Sequence, residues 1–489
     1  MNGVNVMGRT AEEAMKMSVG RRKFVGLGAS FAVAGCRSRS DGAPAIVRGR
    51  NLNSRLAHAC IGTGGKGQSD WMNFMSHPKV DLVAACDVDT ARMAAIRKAV
   101  PGIRLYQDWR ELLEKEKGRI DSVNVSTPDH MHTLIVTHAM RNGLHVYCQK
   151  PLCRGLNECR LLREVAERSG VVTEIGAQVT GDGGDRTAVA WLKSGVIGDL
   201  ENVYMFLNIK GTYRLPRCAV PEGSDPVPAT LDWDRWLGTA PARPYRSGLY
   251  HPGHWRKWRD FGSSSMGDNG FHLMSAVWLG FDFGGDLAPI SATGETDPLW
   301  QGFDPPRRQQ IWPVGNHVSW RFPGVKASGG KPFTMEWFDG IPEENPPAKV
   351  LPPAEVVAVA QQMRMKSTPV IGKMIKGSQG WMMLSHGGMP VVLLNDGSRP
   401  KPPRLPRGQG HYHDFLNHCL DGTRGALDFV RRGVAMQEAL LLGNAAQVVP
   451  GVSLRWDASR HVVANSDEAT RVLYPTYREG WKLEGLAEI

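Results

Sequence analysis

The sequence predicts an α/β protein with two domains. A doubly wound parallel sheet comes first, followed by an α+β domain built on a large, mainly antiparallel sheet. Three observations carry this reading. Between residues 56 and 175, short apolar runs alternate with helix-length segments, the pattern of β-α-β units. A glycine-rich turn, Gly62-Thr63-Gly64-Gly65-Lys66-Gly67, directly follows the first of those runs. Further on, strand-like runs at 201–209, 315–322, 333–338 and 389–394 suit the antiparallel sheet.

Composition bounds the function. Hydrophobic residues make up 42% and charged residues 22% of 489, ordinary values for a folded chain with a core. Part of the +11 charge sits in residues 1–35, where Arg9, Lys16, Arg21, Arg22 and Lys23 face only Glu12 and Glu13. The sequence has no run of five basic residues and no nucleic-acid-binding signature, so nucleic acid is not an expected partner. Eight cysteines without a CxxC fit neither a disulfide framework nor a zinc site. Cys60, Cys86 and Cys148 lie in apolar runs and read as small buried hydrophobes.

The first element is an address. Arg21-Arg22 precede an apolar stretch, Phe24 to Gly35, of 12 residues. That is too short to cross a bilayer, which takes about 20, and it has the length of a signal-peptide core. Paired arginines there resemble a Tat signal, which exports proteins already folded. Val33-Ala34-Gly35-Cys36 resembles a lipobox, with Cys36 as the lipidated first residue. The plainer alternative is a secretory leader whose cysteine is accidental. The expected organisation is a signal peptide at 1–35, a tether at 36–53, a nucleotide-binding domain at 54–176 and a substrate-binding and oligomerisation domain at 177–489. The expected location is outside the inner membrane, either periplasmic or as a lipoprotein anchored to the membrane only through Cys36.

Leu56–Ile61 reads as the first strand, and a helix from Gln68 to Ser76 follows the glycine turn. Val80–Cys86 reads as a buried second strand ending at Asp87, twenty-five residues after Gly62. Strand, GxGxxG, helix, strand and acid together form the Rossmann dinucleotide fingerprint. Gly62 permits the tight turn, Gly64 and Gly65 let the backbone approach a pyrophosphate, and Gly67 allows close helix–strand packing. The helix N-terminus supplies unpaired N–H groups, and Asp87 accepts hydrogen bonds from a ribose. With Asp89 nearby, a 2′-phosphate is repelled, so NAD is favoured over NADP. Further strands are expected at Ile120–Val125, His145–Cys148 and Val171–Ile175, with helices at Met131–Arg141 and 157–168. Thr127-Pro128 and Lys150-Pro151 then stand at strand carboxyl ends, where such sheets place ligands. The proline-rich stretch 341–378 reads as an insertion without an assigned role, and helices at 411–421 and 430–446 complete the second domain. An exposed face of its sheet predicts a homo-oligomer.

Oxidation of a secondary alcohol needs a group to take the hydroxyl proton, and histidine suits that role near neutral pH. Asp268 and His272 are four residues apart, on one face if helical. Lys150, before a proline, can present an ammonium to the reacting oxygen. The bland alternatives are a helix-capping acid at 268 and a core histidine at 272. His132 reads equally as structural or cofactor-facing. His411, His413 and His418 lack a matching carboxylate set, so no metal is expected. Most of the 15 tryptophans read as core, although aromatic faces also suit sugar rings.

Several segments together resemble the Gfo/Idh/MocA oxidoreductase family. They are the glycine turn, Asp87, Thr127-Pro128 with His132, Cys148-Gln149-Lys150-Pro151-Leu152, Gly267-Asp268-Asn269-Gly270-Phe271-His272, Lys193–Gly198, Leu231–Gly238 and Tyr477–Trp481. The resemblance implies a catalytic trio of Lys150, Asp268 and His272, with Thr127, Pro128, His132, Gln149 and Lys150 against the cofactor. One departure stands out: the family often has Glu-Lys-Pro, whereas this chain has Gln149-Lys150-Pro151. The expected function is an NAD-dependent oxidoreductase of a sugar or polyol, with tightly held, recycled NAD. The rivals are a redox-neutral NAD-dependent glycoside hydrolase or lyase and a non-catalytic, nucleotide-stabilised binding protein.

Overall fold

Six short strands, each nearly or wholly buried except at the β3 edge, open the computed structural model, which describes residues 55–209, 222–313, 315–340, 352–363 and 368–487. They are β1 (Leu56–Ile61), β2 (Val80–Cys86), β3 (Arg104–Tyr106), β4 (Ser122–Val125), β5 (His145–Gln149) and β6 (Thr173–Gly176). All pair in parallel, in the order β3-β2-β1-β4-β5-β6. The order in which strands are added reverses between β1 and β4, and at that switch point such sheets bind ligands beyond their strand ends. Ile61 pairs with Cys86 on one side and Val125 on the other, so three strand ends converge there. The signal-peptide and tether readings fall on residues outside those described.

Among the described residues the second sheet has nine strands. In chain order they are β7 (Leu200–Leu207), β8 (Ser291–Thr296), β9 (Asn316–Phe322), β10 (Phe333–Asp339), β11 (Ile371–Gly377), β12 (Gly380–Ser385), β13 (Val391–Leu394), β14 (Leu454–Asp457) and β15 (Val462–Val463). The spatial order is β13-β12-β11-β7-β10-β9-β8-β14-β15, antiparallel except where β10 meets β7. Alternation sorts the side chains. Val203, Met205, Trp320, Met335, Trp337 and Ile375 face inward, into the core shared with the helices Ser264–Gly280 and Val434–Val448.

Two expectations need correction. Residues 371–377 of the presumed insertion form β11, which lies between β12 and β7 inside the sheet. Upstream of it, the helix Ala354–Gln362 lays Val356 and Ala360 over Tyr204, Phe206, Phe338, Met374 and Trp381 on the outer face. Part of the face expected to be bare is thus covered by the chain itself. The helix His411–Asp421, expected in the second domain, packs on the first sheet instead. Its Tyr412, Phe415, Leu416 and Cys419 share a core with Leu56, Cys60, Trp71 and Phe74. The apolar stripe of that helix was legible; the sheet it covers was not.

Candidate active site

The glycine turn builds the nucleotide end of the cleft. Gly62 has φ +86°, and a side chain there would strike the Ser126 carbonyl at 2.6 Å. At Gly67 a Cβ would lie 2.1 Å from the Gly62 carbonyl, so both glycines serve backbone packing. Gly64 and Gly65 line the cleft itself. Gly65 caps the helix Lys66–Met75 with no side-chain hydrogen bond, and while the Gly67 and Gln68 N–H groups donate to the Gly64 and Gly65 carbonyls, the positive end of the helix faces the cleft for an anion. At the end of β2, Asp87 Oδ2 accepts from the Thr63 N–H (2.8 Å) and hydroxyl (3.2 Å), and Oδ1 accepts from the Asp89 N–H (3.0 Å). Burial raises the Asp87 pKa, against the pull of those donors. A glycine cradle, a helix N-terminus without a side-chain cap and an acid at the next strand end fit a dinucleotide. Gly62, Gly64, Gly65 and Asp87 would hold its phosphates and ribose.

Thr127, Pro128, Gln149 and Lys150 continue the wall of this cavity of about 280 Å³. The opposite wall comes from the second domain, through Arg235, Trp236, His251, Pro252, Gly253, Trp255 and Arg256. That strap is fastened to the loop after β2. Thr90 N–H donates to the Thr230 carbonyl (2.9 Å), Asp232 N–H to the Val88 carbonyl (3.0 Å), and His251 Nε2 meets Asp89 at 3.1 Å. Behind it, Trp236, Tyr250, Trp258, Phe261 and Trp300 form a separate aromatic core. For these tryptophans the core reading holds.

The far end of the cleft gathers the charged groups. Lys150 Nζ donates to Asp268 Oδ1 at 2.5 Å, and Arg256 Nε donates to Asp268 Oδ2 at 3.2 Å. Asp268 rides on the helix Ser264–Gly280, which comes close because Gly270 leaves room for Leu440 of the neighbouring helix. One turn on, His272 is partly exposed, with Nδ1 sealed and without a hydrogen-bond partner. Burial, then the charge of Lys150, hold its pKa well below the usual histidine value, so the ring is neutral. The three residues of the expected trio are therefore brought together, although only Lys150 lines the cofactor cleft.

Two expected cofactor contacts play other parts. His132 places Nδ1 2.8 Å from the Pro151 carbonyl and Nε2 2.9 Å from the Thr127 carbonyl. Burial pushes it down to about 4, and it does not line the cleft; it ties two strand-end turns together. Gly67 likewise lies beneath the turn. Gln149 reaches the cleft, yet its Nε2 donates to Asp70 Oδ2 at 2.8 Å. Asp70 is buried and also accepts from Ser126 Oγ (2.7 Å) and Tyr412 OH (2.7 Å), with Lys66 at 3.1 Å. Asp70, Tyr412, Arg256 and Asp129 escape sequence reasoning. An acid inside a helix or just after a proline reads as a solvent-facing or capping group.

Asp129, 3% exposed, lines the cleft beside Lys150 and Arg256. Burial, then the charge of Asp268, raise its pKa to about 7. A carboxyl raised in the folded state binds its proton there while the unfolded chain has lost it. Its contribution to stability is therefore full below about 4 and falls as pH rises to about 7. Asp129→Asn should remove this slope. The difference in unfolding free energy between variant and wild type grows in the variant's favour over that window, by at most about 4 kcal/mol. Denaturant midpoints at intervals from pH 4.5 to 8 measure it; parallel curves would mean Asp129 titrates normally.

The comparisons agree with this geometry. Residues 56–177 match the family model described as oxidoreductase family, NAD-binding Rossmann fold, and residues 219–296 match that family's C-terminal alpha/beta domain. D-apiose dehydrogenase of Paraburkholderia graminis is 29% identical over 134 residues, 27% of this chain and 35% of that protein. Inositol 2-dehydrogenase of Rubrobacter xylanophilus is 29% identical over 122 residues, 25% of this chain and 34% of that protein. The aligned part is thus about a third of either relative. An inositol dehydrogenase homolog from Azotobacter vinelandii, crystallised with NADH and myo-inositol, superposes with a TM-score of 0.55 at 17% identity. That superposition covers 85% of this chain and all of the other, and it speaks for the fold. Two domain models of the Gfo/Idh/MocA oxidoreductase family are thus matched in order on a two-sheet fold of this kind, and residues 56–177 form an NAD-binding Rossmann domain of that family's type.

Proposed function

We propose that the protein oxidises a secondary alcohol carbon of a sugar or polyol and keeps its NAD through successive turnovers. The observation that carries the chemistry is Lys150, held by Asp268 at the end of a cleft that begins at the glycine turn. NAD, when bound, supplies the hydride acceptor. Lys150 presents its ammonium to the reacting oxygen and stabilises the negative charge that develops there. Asp268, shared between Lys150 and Arg256, fixes the direction of that ammonium. His272, neutral and one helical turn away, receives the proton. A sugar or polyol is favoured because the two relatives are named for apiose and inositol.

Cofactor retention rests on the strap over the cleft and on the twin-arginine leader. Export of a folded protein carries NAD along, and no nicotinamide pool is expected outside the inner membrane. The enzyme then returns NAD to its oxidised state within each cycle, on a second sugar or on the same one. Protein purified without added nucleotide should turn over many times on its co-purified NAD. A strict need for added NAD, with one free NADH per product, would leave a simple dehydrogenase. Release of an aglycone from a glycoside with no net NADH would favour the redox-neutral rival.

A further inference from the structure

Beyond the trio, a second histidine touches His272. His386, in the turn after β12, is exposed, and its ring centroid lies 5.3 Å from that of His272 at an interplanar angle of 60°. The groups facing this pair are arranged by sign. Toward the cleft stands Lys150. Beneath the pair, Lys373 of β11 is 2% exposed, and its Nζ donates to the His272 carbonyl at 3.2 Å. The same Nζ lies 3.6 Å from Asp185 Oδ2, in the first turn of the helix Gly183–Lys193. Asp185 and Asp182, from that helix and its cap, act on His386 with negative charge, opposed by Lys373 and Lys150.

Resting on the function proposed above, we propose that His386 relays the substrate's proton between His272 and solvent. With NAD bound, oxidation would break the carbinol C–H and O–H bonds and form the C=O bond: the hydride, with both electrons, would leave to the nicotinamide, and the proton would be left on His272. An imidazolium at 272 is disfavoured by burial, then by the charges of Lys150 and Lys373, against which the Asp268 carboxylate works. At 386 burial also lowers the pKa, but the carboxylates of Asp185 and Asp182 work against it and the ring is exposed to water. The proton therefore runs outward, from the more enclosed ring to the exposed one, and then to water. Reduction of the carbonyl in the second half of the cycle uses the path in reverse. Lys373 keeps the two rings in register by holding the His272 backbone to the sheet and to Asp185. Because His386 acts through His272, it is a positioning residue for the proton and does not touch the substrate.

The test compares His386→Ala and His386→Gln with wild type, using the full protein with its co-purified NAD. The expected result is a kcat lowered about 10-fold or more, with KM and thermal midpoint unchanged and a larger solvent deuterium isotope effect. Added imidazole should restore kcat in His386→Ala and leave wild type unaffected. A second readout needs no turnover. In protein with ¹⁵N-labelled histidine, the His272 ring proton should exchange with water more slowly in the variant. Unchanged kcat and exchange, or a loss that imidazole does not restore, would overturn the relay. If no alcohol is turned over by wild type, the proposed function fails, and the exchange measurement still decides the relay.

Discussion

Lys150→Met lowers kcat by at least about 10²-fold, while the protein folds and keeps its NAD. The fold survives because of the second cation at this site. Asp268 has Arg256 at 3.2 Å as well as Lys150 at 2.5 Å. Removing the lysine therefore leaves the carboxylate paired rather than buried with an uncompensated charge, the change that usually costs several kcal/mol. Methionine fills the same length of cavity. Activity does not survive, because a guanidinium bound to the other carboxylate oxygen cannot supply an ammonium at the end of β5. Steady-state kinetics, thermal midpoints and nucleotide content of the purified variant test the claim. Unfolded protein would make Lys150 chiefly structural; full activity would remove it from the chemistry.

The opposite substitution beside it behaves differently. Gln149→Glu, which restores the commoner family sequence, should destabilise the protein by about 3 kcal/mol and lower activity sharply. The Gln149 amide donates to Asp70 at 2.8 Å, and Asp70 is buried among Ser126, Tyr412 and Lys66. A glutamate would set two carboxylates face to face with one partly exposed ammonium to serve both. Asp70→Asn in the same chain removes one charge and supplies the missing donor, so the double variant should recover most of the loss. A glutamate variant as stable as wild type, or no recovery in the double variant, would show that the amide donor is not required. The departure at 149 thus reads as one half of a pair whose other half is residue 70.

The sequence revealed the first domain well and the second poorly, for physical reasons. Strands buried on most of both faces read as largely apolar runs, broken here only by His58 and Asp81, and β1 and β2 match their expected limits. The glycine turn has its own spacing. By contrast, β11 reads Ile-Gly-Lys-Met-Ile-Lys-Gly, with a lysine that points into the core, so neither alternation nor a run marks it as a central strand. Its Lys373 is buried only because Asp185 and the His272 carbonyl, far away in sequence, receive it. The same holds at the site. Lys150, Asp268 and His272 belong to motifs, whereas Arg256, Asp129 and Asp70 gain their roles from partners that only the fold brings near.

The return of the helix His411–Asp421 to the first sheet bears on how the chain matures. Tyr412 meets Asp70 across 342 residues of sequence, and Leu56, Trp71 and Phe74 have their apolar cover only once that helix arrives. Synthesis runs from the N-terminus, so the nucleotide-binding half emerges first with one flank uncovered, and stays so until the ribosome has nearly finished. Contacts over such spans are slow to form. A polypeptide cut after residue 176 would carry every glycine of the fingerprint and still lack the wall of its own core. The two halves mature together, and a nucleotide gripped at the glycine turn would report that the helix His411–Asp421 is in place.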